Sequence, residues 1–451
     1  MNFKSINPYN QAIIGEYPLM DMPQIEKKIN QSQIAFQHWS RTKPEYRAQL
    51  IGKFASLLSE SQEDLSKLIS LEMGKVFLES KGEVQKCANA CLFFADNGVP
   101  FLDFQAIPTE AKYSGYSIEP QGAVLGIMPW NFPFWQVIRY AIPNLLLGNV
   151  CLLKHAPNVS GCSLALEKLF LEAGFPEFVF QSLIIEVDLV ESIIAHDHIV
   201  GVAFTGSESS GSKVAALAGK YLKKTVLELG GSDPFIVLED ADIEKAAKIG
   251  VQSRFTNAGQ ACNGAKRFII ESKVYPQFLE AFLAEISLWK AGDPFLPTSR
   301  IGPMARLDLV NQLEKQMEQS ENLGARYILK GKIDGCLVEP RIMEGIGEYM
   351  DISREETFGP LAAFIQVNDP EEAIHIANHS RFGLGATVMS QDIEKAYGYA
   401  KKIEAGNVFI NSMVRSDPRL PFGGIKKSGF GRELSHWGLM EFANIKTYYE
   451  S

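Results

Sequence analysis

The residues in this chain that could do covalent chemistry converge on one thiol, Cys262, set in Gly259-Gln260-Ala261-Cys262-Asn263-Gly264-Ala265-Lys266-Arg267. A cysteine used only for packing belongs in an apolar run, where it behaves as a small hydrophobe. Cys262 instead has small and polar neighbours, with Lys266 and Arg267 near enough in sequence to favour a thiolate. Judged alone, it reads more readily as an ordinary loop cysteine. Glu228 closes an apolar run just before Gly230-Gly231, the strand-end position where open α/β sheets place their chemistry. Alone it is also a salt-bridged loop glutamate. Beside an activated thiol, a desolvated glutamate can take a proton from water as a general base.

Three further stretches could serve such a pair. In Pro129-Trp130-Asn131-Phe132-Pro133, two prolines restrict the backbone and aim the Asn131 amide in one direction. With the Cys262 backbone N–H that amide would make an oxyanion hole; as a lone pentapeptide it is a helix-starting turn with Asn131 as cap. Thr205-Gly206-Ser207-Glu208 closes a strand and opens a helix, so Gly206 admits a phosphate to unpaired N–H groups. Glu356, two residues before Phe358 and a Gly-Pro turn, suits ribose hydroxyls with a ring packed nearby; alone, the stretch is an acidic surface turn.

The elements that must position these residues are legible from periodicity. The first hundred residues read as helical, with Ile25, Ile29 and Phe36 at helical spacing and a second helix opened by Pro44. Residues 112–120 form a polar, alternating arm. From Gly122 short apolar runs alternate with helices: 123–128, 149–154, 183–187, 200–204, 226–229 and 235–238 read as strands, 134–147 and 160–173 as helices. That alternation predicts a mostly parallel sheet covered on both faces, a doubly wound α/β fold. A second α/β block spans about 230–411, with helices at 240–257, 274–289, 306–322 and 370–379. The tail, 439–451, could pair with the arm or with another subunit.

Composition narrows the function classes. A chain of 451 residues, 46% hydrophobic and 22% charged, suggests two or three globular domains. A net charge of -9 without a Lys/Arg cluster argues against nucleic-acid and anionic-membrane surfaces. No run has signal-peptide or membrane-spanning character. Six cysteines in this length do not make a disulfide framework, and no Cys or His set completes Cys87 and Cys91 as a metal site. A cytoplasmic protein without a metal is expected.

Together these motifs resemble the NAD(P)-dependent aldehyde dehydrogenase superfamily over nearly the whole chain. Pro129–Pro133, Lys154, Gly206-Ser207, Leu227–Gly231, Gly259–Cys262, Glu356–Gly359 and Pro421-Phe422-Gly423-Gly424 occur in the family's order. The wording Lys154-His155-Ala156 and Lys427–Glu433 is similar to the shorter bacterial succinate-semialdehyde dehydrogenases. The resemblance implies that Cys262 attacks the aldehyde carbonyl, that Asn131 and the Cys262 amide hold the oxyanion, and that Glu228 activates water against the thioester. It implies cofactor contacts at Trp130, Lys154, Gly206, Ser207, Leu229, Gly230, Glu356 and Phe358, and no metal. The implied domains are a cofactor domain (1–111 and 123–229), a catalytic domain (230–411), an oligomerisation arm (112–122 and 435–451) and a return segment (412–434). A homodimer or homotetramer is expected.

Cofactor and substrate choice turn on departures from the pattern. Many NAD-preferring members carry an acid three residues after the lysine matched by Lys154; here Pro157 stands there, and NADP is not repelled. Arg139, eight residues after Asn131, is two helical turns along and can face the same pocket. It matches an arginine that binds the substrate carboxylate in succinate-semialdehyde dehydrogenases, and Ser416 a second contact. Where some relatives place another arginine this chain has Thr256, with Arg254 two residues earlier. Trp135 and Phe422 are expected as apolar walls, His155 as a structural residue, and Arg415 and Arg419 on a polar loop at the pocket mouth. Succinate semialdehyde is the favoured substrate, other small or ω-carboxylated aldehydes the alternative. Rival readings are a coenzyme-A-acylating relative, a cysteine hydrolase without redox chemistry, and a fold kept for binding alone.

Overall fold

The computed structural model describes residues 2–451. Two open sheets organise it. The first runs in the order Gly429–Phe430, Lys224–Glu228, Ile199–Thr205, Ala123–Met128, Val150–His155, Phe180–Ser182, all parallel except the short Gly429–Phe430 edge. Its central strand, Ala123–Met128, has the next strand in sequence on one side and the one after Phe180–Ser182 on the other. That reversal is the topological switch point where α/β sheets bind ligands beyond their carboxyl ends. Thr205 pairs with Glu228 and Ile127 with both Phe204 and Lys154, so the motif residues following these strands emerge along one edge.

The second sheet has seven strands, ordered Arg326–Lys330, Arg341–Glu344, Leu361–Val367, Ala265–Glu271, Asp233–Val237, Gly385–Met389, Asn407–Ile410. Its central strands are buried throughout, as near-continuous apolar runs with helices on both faces require. The tail strand Ala443–Glu450 pairs antiparallel with Tyr113–Pro120 along its whole length, and Gln105–Ala106 adds a third strand. Among the described residues no helix is long and apolar enough to cross a membrane.

Two readings of the chain need correction. The first hundred residues are not all helical: Asn2–Ile6 and Ile13–Pro18 form an antiparallel hairpin before the helices Met22–Trp39 and Pro44–Glu60. Leu183 to Val187 is not a strand. The sheet's edge strand ends at Ser182, and Leu183, Ile184 and Ile185 beyond it are buried in a loop tied by single backbone bonds, Leu183 to Leu153 and Met20 to Ile184. Burial alone makes a run apolar, whatever its backbone does.

Candidate active site

Cys262 follows the helix Ile243–Phe255 and the short turn Thr256–Gly259, and precedes the strand Ala265–Glu271. The turn holds three successive left-handed residues, Asn257, Ala258 and Gly259, at φ 55°, 53° and 71°. Such backbone persists only when its surroundings over-determine it. Here the Gln260 side chain accepts from Ala305 N and donates to Asn257 O, while its carbonyl accepts the amides of Asn131 (3.0 Å) and Asn257 (3.2 Å). Gly259 packs against the Gly359 carbonyl, where a Cβ would come within 2.2 Å. The loop that carries the thiol is therefore locked to Asn131 and to the Thr357–Pro360 turn.

The thiol faces two cavities, and among the described residues only Gln136 shares that position with it. The larger, about 910 Å³, is lined by Phe132, Trp135, Arg139, Ser416 and Phe422, with Thr256 and Arg415 also on its wall. The second, about 870 Å³, is lined by Trp130, Asn131, Gly206, Ser207, Leu229, Gly230, Glu356 and Phe358. One of the expected cofactor contacts is thus set apart: all but Lys154 line this cavity, whereas Lys154 is buried, with Nζ 3.3 Å from the His155 carbonyl.

The second cavity fits a dinucleotide. The helix Glu208–Lys220 opens onto it with Ser207 as its cap, presenting unpaired N–H groups to an anion. Glu356 accepts from Gly231 N at 3.1 Å, and a Cβ on Gly230 would lie 2.4 Å from the Glu356 carboxylate, so only glycine leaves this acid its place. Trp130 and Phe358 meet edge-to-face at 5.8 Å. Pro157 is exposed at the start of a short turn, Pro157–Val159, beyond Lys154.

The electrostatics correct one expectation. Lys266 and Arg267 do not leave Cys262 a low-pKa thiol. Burial dominates and pushes it up to about 11, against the opposing charges of Arg139 and Lys266. Arg267 points away, donating to the carbonyls of Ser232, Ile376 and Ala377. Lys266 donates to the Ala261 and Cys262 carbonyls and pairs with Glu356 at 3.5 Å. Glu228 is buried, and neither carboxylate oxygen has a hydrogen-bond partner. Burial first, then the charge of Glu433, raises its pKa well above the carboxylate range. It lines neither cavity in this conformation.

Arg139 reaches the larger cavity, but its charge is answered. Nε lies 2.7 Å from Glu433 in a pair that is almost fully buried, and Nη2 donates to Gln136. Ser416 Oγ receives Trp135 Nε1 at 3.0 Å and Lys86 Nζ at 2.9 Å. Arg254 faces away from the cavity, donating to the Leu361, Thr357 and Gly359 carbonyls. Buried His155 donates from Nε2 to the Pro133 carbonyl at 2.8 Å and accepts the Ala156 N–H at Nδ1, and burial lowers its pKa to about 4, as a structural residue requires. Arg419 is taken by Asp417. Glu348, His375 and His379 bring donor atoms within 4.8 Å of one another at the surface, and none lines either cavity.

The sequence reading missed one whole face of the site. The helix Phe77–Asn97 contributes Leu78, Glu79, Gly82, Glu83 and Lys86 to the larger cavity. Glu83 accepts from the backbone N–H groups of Phe134 and Trp135 at 2.9 and 3.1 Å and pairs with buried Lys75, so it caps the helix that carries Trp135 and Arg139. The clue was four charges, Glu79, Lys81, Glu83 and Lys86, in a helix with little apolar excess on any face.

A thiol shared by an anion-ready nucleotide cavity and a second, mixed cavity, on two open α/β sheets, defines a two-ligand enzyme of the dehydrogenase kind. Solved structures agree: succinic semialdehyde dehydrogenase from Streptococcus pyogenes, in complex with NADP+, matches with a TM-score of 0.97 at 36% identity over 99% of both chains. The aldehyde dehydrogenase family model matches residues 1–448, and the chain belongs to that family. Among curated relatives, the succinate semialdehyde dehydrogenase (NAD(P)+) Sad of Escherichia coli is 42% identical over 99% of this chain and 97% of its own. The succinate-semialdehyde dehydrogenase (NADP(+)) of Deinococcus radiodurans is 38% identical over 98% and 94%.

Proposed function

We propose that the protein oxidises succinate semialdehyde to succinate with NAD(P)+, through a covalent adduct on Cys262. The observation that carries this is Cys262 at the meeting of the two cavities, one shaped for a dinucleotide and the other walled by Trp135, Phe422, Arg139 and Ser416. The substrate class also rests on the succinate-semialdehyde dehydrogenases among the relatives. Acceptance of NADP follows from the absence of an acid at Pro157 and from relatives that use it.

The thiolate of Cys262 attacks the aldehyde carbon, and the Asn131 amide with the Cys262 backbone N–H stabilises the oxygen that becomes negative. Asn131 reaches this role by exchanging its bond to the Gln260 carbonyl for one to that oxygen. Bound NAD(P)+ supplies the acceptor for the hydride that leaves as the thioester forms. Glu228 then takes a proton from water, whose oxygen attacks the thioester carbon; the acid departs and the thiol is restored. Residues 1–111 and 123–229 are assigned to cofactor binding, 230–411 to catalysis and 412–434 to the return segment. Residues 112–122 and 435–451 are assigned to assembly as a dimer or tetramer. Six unpaired cysteines support a reducing, cytoplasmic setting.

The test is the initial rate of reduced-cofactor formation, crossing succinate semialdehyde, glutarate semialdehyde and butanal with NAD+ and NADP+. A preference for succinate semialdehyde supports the assignment. Equal rates with all three remove the substrate and leave the dehydrogenase; thioester hydrolysis without any reduction would replace it with a hydrolase.

A further inference from the structure

We propose that Glu348, His375 and His379 form a surface site for a divalent transition-metal ion of the zinc kind, which links a loop to a helix outside both cavities. The site does not depend on the substrate reading above. The helix Pro370–Asn378 buries Ala373, Ile374 and Ala377 and leaves His375 on its outer face. His379 follows directly, and its N–H donates to the His375 carbonyl at 2.9 Å. That bond keeps the two residues in helical register, where side chains four apart share a face. Their ring centroids are 6.0 Å apart and the rings are inclined at 57°, splayed rather than stacked. Glu348 comes from a different element, the loop 345–350 between the strand Arg341–Glu344 and the helix Asp351–Arg354. One ligand atom from each of the three residues lies within 4.8 Å of the others.

The make-up of the cluster selects the ion. Magnesium and calcium take oxygen ligands, whereas two imidazoles beside one carboxylate suit zinc, nickel or copper. At metal–ligand bonds of about 2.1 Å, two donors on a tetrahedral ion stand about 3.4 Å apart. Exposed side chains close the remaining gap by rotation about their χ angles, and water completes the coordination. Nothing else engages these donors: among the described residues none of the three side chains makes a hydrogen bond or an ion pair. Nor, among those residues, does any hydrogen bond or ion pair join the loop 345–350 to the helix Pro370–Asn378. An ion held by Glu348 and the two histidines supplies that link. The loop leads through Asp351–Arg354 to Glu355, Glu356 and Phe358 on the wall of the nucleotide cavity. The ion therefore braces that wall from outside and does not meet the reacting atoms.

The experiment titrates the untagged, chelator-treated full chain with zinc by calorimetry, with magnesium as the control. One zinc per chain is expected. It should persist in Cys262→Ala, since the other cysteines are buried and the catalytic thiol is not a ligand. His375→Ala and His379→Ala should each weaken binding about tenfold or more, no less than the loss of a ligand's supporting partner costs. Glu348→Gln should weaken it too, and zinc should slow amide exchange across residues 345–350 in wild type but not in this variant. All three side chains are exposed, so the substitutions should leave the metal-free fold intact. The proposal is overturned if wild type takes up no zinc saturably, if magnesium binds as tightly, or if binding is lost in Cys262→Ala. Either histidine variant binding within about threefold of wild type overturns it as well. So does binding that Glu348→Gln leaves unweakened, or that leaves exchange in the loop unchanged.

Discussion

Among the described residues Glu228 has no hydrogen bond to hold its charge, and the charges of Arg139 and Arg432 only partly offset its burial. Both oxygens are unpartnered and buried, and Glu433 stands near enough to repel it. A carboxyl raised by burial stays protonated to higher pH than a free one, so thioester hydrolysis should climb with pH as Glu228 ionises. In Glu228→Gln that dependence should vanish. Reduced cofactor should then appear as a burst of about one equivalent per site, followed by turnover slowed by about a hundredfold or more, read by stopped-flow absorbance. Stability moves the opposite way. A folded pKa above the unfolded one contributes fully below the unfolded carboxylate value and is lost as pH rises through the folded one. Glu228→Gln should thus melt above wild type at neutral pH, with a gap that widens toward alkaline pH; a lower melting temperature would show that Glu228 has a partner in solution. Cys262 titrates in the same sense, since a thiol pushed to about 11 makes acylation faster with pH throughout the physiological range. These residues were legible in the sequence because each stands at a strand or helix end, flanked by glycine or proline. Their electrostatics were not, because adjacency of Lys266 and Arg267 in sequence says nothing about which way a buried guanidinium turns.

The helix Phe77–Asn97 shows what pattern reading cannot distinguish. A polar face toward an internal cavity and a polar face toward water have the same periodicity, so nothing in the pattern sets Glu79, Glu83 and Lys86 apart. Strand positions were clearer: the apolar runs 123–128, 200–204 and 226–229 lie nearly at the observed limits, because fully buried parallel strands leave no alternation to misread. The hairpin Asn2–Pro18 escaped because its residues are mostly half-exposed and carry no apolar run. The helix also predicts a stability effect. Glu83→Ala would strip the cap from Phe134 and Trp135 and leave Lys75 buried without its partner, a loss of about 3–5 kcal/mol. Denaturant unfolding measures it, and a loss under about 1 kcal/mol would mean that water replaces the carboxylate. Lys75→Met combined with Glu83→Gln should recover much of the loss, since replacing both partners removes the stranded charge.

At the scale of the molecule, the tail strand Ala443–Glu450 is bonded on one side only, to Tyr113–Pro120, and exposes Ile445 and Tyr449. An unpaired edge with apolar side chains is a surface for another chain. Deleting residues 443–451 should lower the mass seen by sedimentation to that of a smaller assembly, while the two sheets keep their fold. An unchanged mass would place the subunit contact elsewhere. The sulfur of Cys262 opens on two separate cavities that share only Gln136 with it. Two ligands that come to one atom from different sides do not queue for a single doorway. On the proposed mechanism the spent nucleotide would have its own way out while the acyl group stayed in the other chamber, and the vacated side would admit water. Order of release would then follow from the two chambers themselves, with the proposed covalent bond holding the acyl group until water arrives.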